Sequence, residues 1–171
     1  MADQVNCILN ERGIVDTKAV PPKLALPIIE AASLEEDDKL QNLWAKLLSN
    51  AMDPNCKLDI RYFFVDILKS LNPLDVKLLY FFYDTLKKDP KIDWNKISLY
   101  SLKKEQFIAA LEMSELDYYL SVCNLFRVQC LAPAILTGGA SLGSEPLTVY
   151  KGQEQIVLTV LGVQLIEAAI K

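Results

Sequence analysis

The chain has 171 residues, 51% of them hydrophobic, and a formal net charge of −4. That length supports one good core or two small ones. The acidic balance excludes a generally cationic protein that coats nucleic acid, because phosphate binding draws on clustered Lys and Arg.

There is no histidine, which removes His-based nucleophilic catalysis and His-ligated metal chemistry. Four cysteines, at 7, 56, 123 and 130, form no C-x-x-C pair. They are expected to be buried free thiols, with Cys123 and Cys130 facing the core. The longest uncharged run, Val128 to Ser144, is interrupted by Pro133, Gly138, Gly139 and Gly143 and is too broken for a membrane helix. The start, MADQVNCILNERG, lacks the basic and apolar regions of a secretion signal, so the cytoplasm is the expected compartment.

In chain order, Asp3 to Asn10 reads as a short helix with Gly13 as a stop just beyond it. Val20-Pro21-Pro22 is a rigid turn, and a second helix is expected from Pro22 to Ala32, with Pro27 removing one backbone donor. Ser33 followed by Glu36 has the form of a capping box, and Glu35 to Asp38 fall where a helix dipole favours negative charge. A helix is therefore expected from Leu34 to about Ala51, with Leu40, Leu43, Trp44, Leu47, Leu48 and Ala51 on its apolar face. The four consecutive acids point in different directions along a helix and do not converge on a metal ion. Asp59 to Leu71 is the next predicted helix, with Ile60, Phe63, Phe64, Ile67, Leu68 and Leu71 on the buried side.

Asn72 as cap, Pro73 at the first helical position and Asp75 at the third predict a helix to Lys88, apolar along Leu74, Leu78, Leu79, Phe82 and Leu86. Ile97 to Leu99 is a candidate strand, and Ser101 is expected to cap a helix over Leu102 to Leu111. Ser114 and Asp117 give a second cap, for a helix from Glu115 to about Val128. Leu131 to Leu136 and Gln155 to Leu158 are β-prone runs around TGGASLGSEP. Its glycines lack the Gly-Lys-Ser/Thr of a nucleotide loop. Thr159 is expected to cap a last helix, Val160 to Ile170.

These elements predict a mainly α protein: an N-terminal helical unit, residues 1–71, packed on a winged-helix-like part, residues 72–171, a helix-turn-helix with a short β wing. One continuous compact unit is the alternative division.

Two groups of blocks carry a family resemblance. The first is the order of prolines, short apolar helix, acidic turn and LQNLWAKLLSNAMDPN. The second is NLFRVQCL together with the closing LTVLGVQLIEAAI. Together they span about Val20 to Ile170 and resemble the abortive infection alpha (Abi-alpha) family. Gln129 stands where that family usually has glycine, and Val160 and Val163 where it has proline and a polar or basic residue. The resemblance implies a bacterial or phage-borne protein of abortive infection, the response that limits phage spread at the cost of the infected cell. The family's molecular activity is poorly defined, so the resemblance transfers no catalytic residue.

A winged helix suggests DNA binding, which needs Arg, Lys, Asn or Gln on the groove-facing side of its second helix. If Leu116, Tyr119, Leu120, Cys123 and Phe126 face the core, the outward residues are Glu115, Asp117, Tyr118, Ser121 and Asn124, and Arg127 is the helix's one cation. The wing adds Lys151. The main basic cluster is Lys87, Lys88, Lys91, Lys96, Lys103 and Lys104, partly offset by Asp89 and Asp93.

The expected function is therefore that of a non-enzymatic interaction module, working through an unidentified protein partner or self-association. Tyr118, Ser121, Asn124 and Arg127 are the candidate contact residues. The alternative is a DNA-binding regulator using the lysines from 87 to 104. No cofactor, metal or membrane is expected, nor specific DNA binding.

Overall fold

The structure is a computed structural model and describes residues 1–134 and 153–170. The predicted wing from Thr137 to Pro146, Lys151, and residues 135–136 and 149–152 of the expected strands lie outside the described residues. The protein is mainly helical, with one small antiparallel sheet. It divides into two compact units, one comprising Met1–Val76 and Gln164–Lys171, the other Lys77–Val163.

In the first unit, α1 (Ala2–Glu11) ends in a reciprocal C-terminal cap. The N–H of Gly13 donates to the Asn10 carbonyl and that of Ile14 to the Leu9 carbonyl, and Gly13 takes φ +69°. Helix α2 (Pro22–Leu34) starts with Pro22 in its first turn and continues through Pro27. It also continues through Ser33, whose hydroxyl donates to the Glu30 carbonyl rather than capping the next helix. The cap of α3 (Asp38–Met52) is Asp37, whose carboxylate accepts from the N–H groups of Lys39 and Leu40. The expected start at Leu34 is thus four residues early. Among adjacent acids and a serine, a carboxylate is the stronger acceptor for orphan N–H groups.

Helix α3 is the centre of this unit. Leu40, Leu43, Trp44, Ala45, Leu47 and Ala51 are buried, and Val5 and Leu9 of α1 pack against Ala45. The helix expected from Asp59 is only α4 (Phe63–Lys69). The residues before it are held locally instead, by Asp53 accepting from Asn55 N–H and by an Arg61–Asp59 ion pair at 2.6 Å. Phe64, Val65, Ile67, Leu68 and Leu71 are buried, whereas Phe63 remains 38% exposed.

Two polar side chains one turn apart on α3 complete the unit. Asn50 donates to the Ala168 carbonyl at 2.7 Å and accepts from Arg12 at 2.6 Å, and Lys46 donates to the Ile170 carbonyl at 2.9 Å. They satisfy carbonyls of the π-helical turn Ile166–Ile170, which as a helix end has few intrahelical donors for them. Burial lowers the pKa of Lys46, with a further push from the nearby charge of Arg12.

The cap of α5 (Pro73–Lys87) agrees with its prediction. Asn72 Oδ1 accepts from the N–H groups of Leu74 and Asp75, and Asp75 reaches back to Asn72 N–H. Its residues from Lys77 onward belong to the second unit, where Leu78, Leu79, Phe82 and Leu86 are buried. Residues Trp94–Leu99 form a 3-10 helix capped by Asp93, not the strand expected at 97–99. Three residues, Ile97-Ser98-Leu99, are too short a stretch for periodicity to separate the two. The strand is β1 (Ser101–Lys103), and Ser101 accepts a hydrogen bond from Gln155 instead of capping a helix. Helix α6 (Lys104–Leu111) follows, with Gln106 Oε1 accepting from Lys103 N–H.

Glu112, at φ +50°, turns the chain into α7 (Glu115–Arg127), which Ser114 caps by accepting from Asp117 N–H. Strands β2 (Leu131–Pro133) and β3 (Gln155–Leu158) complete a sheet in the order β1-β3-β2, with both pairings antiparallel. Leu102 lies opposite Ile156, and Leu131 opposite Leu158. Ile156, Val157 and Leu158 of the central strand are all buried, while Pro133, which has no N–H to give a ladder, sits on the edge strand β2. Phe82, Phe107 and Tyr118 form the aromatic core, with Phe107 ring centroids 5.4 Å from Phe82 and 5.8 Å from Tyr118.

Thr159 caps α8 (Val160–Leu165), its hydroxyl oxygen accepting from Gly162 N–H. Gly162 faces the exit of α7, where a Cβ on it would stand 2.2 Å from the Cys130 carbonyl oxygen. Gln129, just before, takes φ +60°, the left-handed conformation that glycine adopts without strain. Among the described residues eight α-helices are present.

Trp44 is 2% exposed, so Trp44→Ala is expected to cost about 3–5 kcal/mol in a denaturant titration. Gly162→Ala drives a methyl group into backbone that has no rotamer to give, and a loss of about 1–3 kcal/mol or more is expected from the same measurement.

Candidate partner-binding face

Helix α7 has apolar residues on two sides, and its rotation decides which side is presented. Tyr118, Ser121, Val122 and Leu125, spaced i, i+3, i+4 and i+7, are buried. The phenol of Tyr118 is completely buried, and its hydroxyl donates to the Gln153 carbonyl at 2.8 Å. A buried phenol needs such a partner, and burial raises its pKa, keeping it neutral. Ser121, nearly as buried, is small enough for close approach on the same side.

The opposite side carries Leu116, 66% exposed, Leu120, 60% exposed, Cys123 and Arg127, spaced i, i+4, i+7 and i+11. This reverses the expected orientation, in which Leu116, Leu120 and Cys123 faced the core and Tyr118 and Ser121 faced out. Both stripes have helical spacing, so periodicity alone did not separate them. The aromatic, small and β-branched set fits between α6 and the sheet, and the two leucines are left outside. The cysteine expectation changes with it: Cys7 and Cys123 are exposed, Cys56 is half-buried and Cys130 is buried.

Of the four candidate contact residues, Tyr118 and Ser121 are thus structural. Asn124 is half-buried and accepts from Arg127 Nε and Nη2, the latter at 2.7 Å, so Asn124 and Arg127 are brought together at the C-terminal end of the exposed stripe. Glu115 and Asp117 flank its N-terminal end.

The lysines from 87 to 104 do not form one uniform patch. Lys88 pairs with Asp84 at 2.7 Å and Lys96 with Asp93 at 3.6 Å, while Lys87, Lys91 and Lys103 are exposed. Lys104 is withdrawn into a clamp. Its ammonium, on a side chain 13% exposed, donates to Tyr119 Oη at 3.0 Å and Glu154 Oε1 at 3.1 Å, with Glu115 at 3.4 Å. Tyr119 donates to Glu154 at 2.8 Å, and the Lys104 ammonium lies over the Tyr119 ring. The hydrogen bonds to Tyr119 and Glu154 raise the Lys104 pKa and hold the group charged. The Tyr119 hydroxyl is also the main reason that Glu154 titrates below the usual carboxylate range. The clamp ties the start of α6 and the first turns of α7 to the residue before β3.

No group of acids and cysteines suited to a metal ion occurs among the described residues. No described helix is long and apolar enough to cross a membrane.

Comparison with protein families matches residues 2–169 to abortive infection alpha, and the chain belongs to that family. Membership gives it a role in abortive infection, the phage-defence response. No curated protein and no solved structure matches it significantly. Residues of the blocks that carry the likeness lie at joints of the fold: Trp44 in the core of α3 and Gly162 against the Cys130 carbonyl, while Gln129, a departure from the likeness, stands at the left-handed exit of α7. They specify backbone and packing, and none of them presents a reactive group.

Glu154, ionised in the clamp, adds stability that is complete above its ordinary value of 4.5 and fades as pH falls below it through the depressed folded value. Glu154→Gln is therefore expected to be less stable than the parent chain at neutral pH. The gap should close in acid, as read by melting temperature across pH 3 to 7; a gap that does not change with pH would remove the carboxylate from this role.

Proposed function

We propose that this member of the abortive infection alpha family is a non-enzymatic interaction module of a bacterial cell, working in the cytoplasm through protein contacts made by the outer face of α7. The observation that carries the proposal is the stripe of Leu116, Leu120 and Cys123, apolar and exposed on a helix that is otherwise well anchored. Exposed leucines in a row are the chemistry of a protein contact and not of a phosphate backbone.

The element order α5, β1, α6, α7, β2, β3 supports reading this part as a winged helix, in which α7 would take the place of the recognition helix. We read it as a degenerate one, adapted from groove reading to protein contact. Its N-terminal end bears Glu115 and Asp117, which repel DNA phosphates. Lys104 is stabilised in its charged form, which works against its use as a base or nucleophile.

On this proposal Leu120→Glu, a change on the exposed side that leaves the buried face intact, retains the parent melting temperature and lowers phage protection in a plating assay by at least about tenfold. Full protection by a folded Leu120→Glu chain would remove the α7 face from the function. Duplex DNA binding is expected to be weak, salt-labile and indifferent to sequence, through lysines 87 to 104. Sub-micromolar, sequence-selective binding lost on Arg127→Ala, read by anisotropy at physiological salt, would replace the proposal with a DNA-binding regulator.

A further inference from the structure

The exposed side of α7 has a polarity along its length that a simple sticky patch lacks. Acid flanks one end, Glu115 on one side of the stripe and Asp117 on the other, and Arg127 lies on the stripe at the other end. Leu120 and Cys123 are in the middle. Counting 100° per residue, Leu116, Leu120, Cys123 and Arg127 fall within about 60° of one another, opposite the buried Tyr118, Val122 and Leu125. A surface whose two ends are complementary and whose centre is apolar is complementary to itself when reversed.

Resting on the reading of α7 as a contact face, we propose that its partner is a second copy of this chain. The two α7 helices pair antiparallel about a two-fold axis between residues 121 and 122. Leu120 of each copy then lies opposite Cys123 of the other, and Leu116 opposite Arg127. The guanidinium of one copy reaches the carboxylates of Glu115 and Asp117 on the other. Both ends form the same contact, as an isologous interface requires. A parallel arrangement sets acid against acid and Arg127 against Arg127. The antiparallel one also places the positive end of each helix dipole beside the negative end of its neighbour.

The charges are available for this. Arg127 uses Nε and Nη2 toward Asn124 within its own helix, and a guanidinium has five donors. Glu115 has a 69% exposed side chain even while it faces Lys104. The contact is small: the 13 residues of α7 extend about 20 Å, and a pair of such helices buries less than the ~1,200 Å² of a standard stable interface. The dimer is therefore weak and concentration-dependent, dissociating in the micromolar range.

Sedimentation equilibrium of the full chain across concentrations tests this, with charge-reversed variants. The parent chain is expected to dimerise reversibly, and Leu120→Glu to raise the dissociation constant at least about tenfold at unchanged melting temperature. Arg127→Glu alone places acid against acid and should be monomeric. The Glu115→Lys, Asp117→Lys chain places base against Arg127 and should also be monomeric. Mixed together, these two should form a heterodimer, because both ends are then complementary.

A parent chain that stays monomeric to about 200 μM, a dimer untouched by Leu120→Glu, or folded charge variants that fail to pair on mixing would each overturn self-pairing through α7. Phage plating separates the levels of failure. A monomeric parent whose Leu120→Glu variant loses protection overturns self-pairing but leaves α7 as the contact face for another protein. A monomeric parent whose folded Leu120→Glu variant keeps protection overturns both.

Discussion

The rotation of α7 depends on one buried hydrogen bond. A phenol ring inside a small core is favourable only if its hydroxyl finds an acceptor, and Tyr118 finds the carbonyl of Gln153. Turning α7 by half a revolution would expose the ring, bury Leu116 and Leu120 and leave the Gln153 carbonyl without that donor. The ring stacks near Phe107, which in turn meets Phe82, so the bond is backed by the aromatic core of its unit. The clamp of Lys104, Tyr119 and Glu154 acts in the same sense from the helix's side. The exposed apolar stripe is thus what remains when the hydroxyls of Tyr118 and Tyr119 have found their partners.

The other unit is organised by a polar solution of a different kind. The π-helical turn Ile166–Ile170 presents carbonyls without intrahelical donors, and Asn50 and Lys46 of α3 donate to two of them. Arg12 fixes the Asn50 amide so that its oxygen accepts while its nitrogen donates. Burial makes the charge of Lys46 costly, yet the hydrogen bond needs only a donor. The apolar burial around Trp44 supplies the mass of the unit, and these few polar contacts fix where residues 166 to 170 lie against α3.

Much of this was readable in the sequence where the cause is local. The caps at Asn72, Ser114 and Thr159 hold because donor and acceptor lie within three residues of each other. The strand at Gln155–Leu158 holds because the apolar run Ile156, Val157 and Leu158, two of them β-branched, is bounded by polar residues. The sequence misled where two local answers competed. Ser33 reads as the cap of a helix that Asp37 caps instead, and Ser101 was a credible cap until Gln155, 54 positions away, took its hydroxyl as an acceptor. The faces of α7 were a tie of the same sort, decided by Phe107 and Gln153, neither of which is near in sequence. The left-handed exit at Gln129 was visible only through the family's habit of placing glycine there, and φ +60° accounts for that habit.

The cysteines give the exposed stripe a chemistry of its own. Alkylation and oxidation proceed through the thiolate, so exposure alone does not set the order in which thiols react. Cys7 is open to solvent, but its thiol donates to Glu11, which raises its pKa and disfavours the thiolate. Cys130 is enclosed and Cys56 half-enclosed. Cys123 combines exposure with a place in the middle of the α7 face. A thiol reagent added sparingly at neutral pH therefore acts as a kinetic reporter of that face, and anything that covers α7 registers as a slowed modification of a residue the protein already carries.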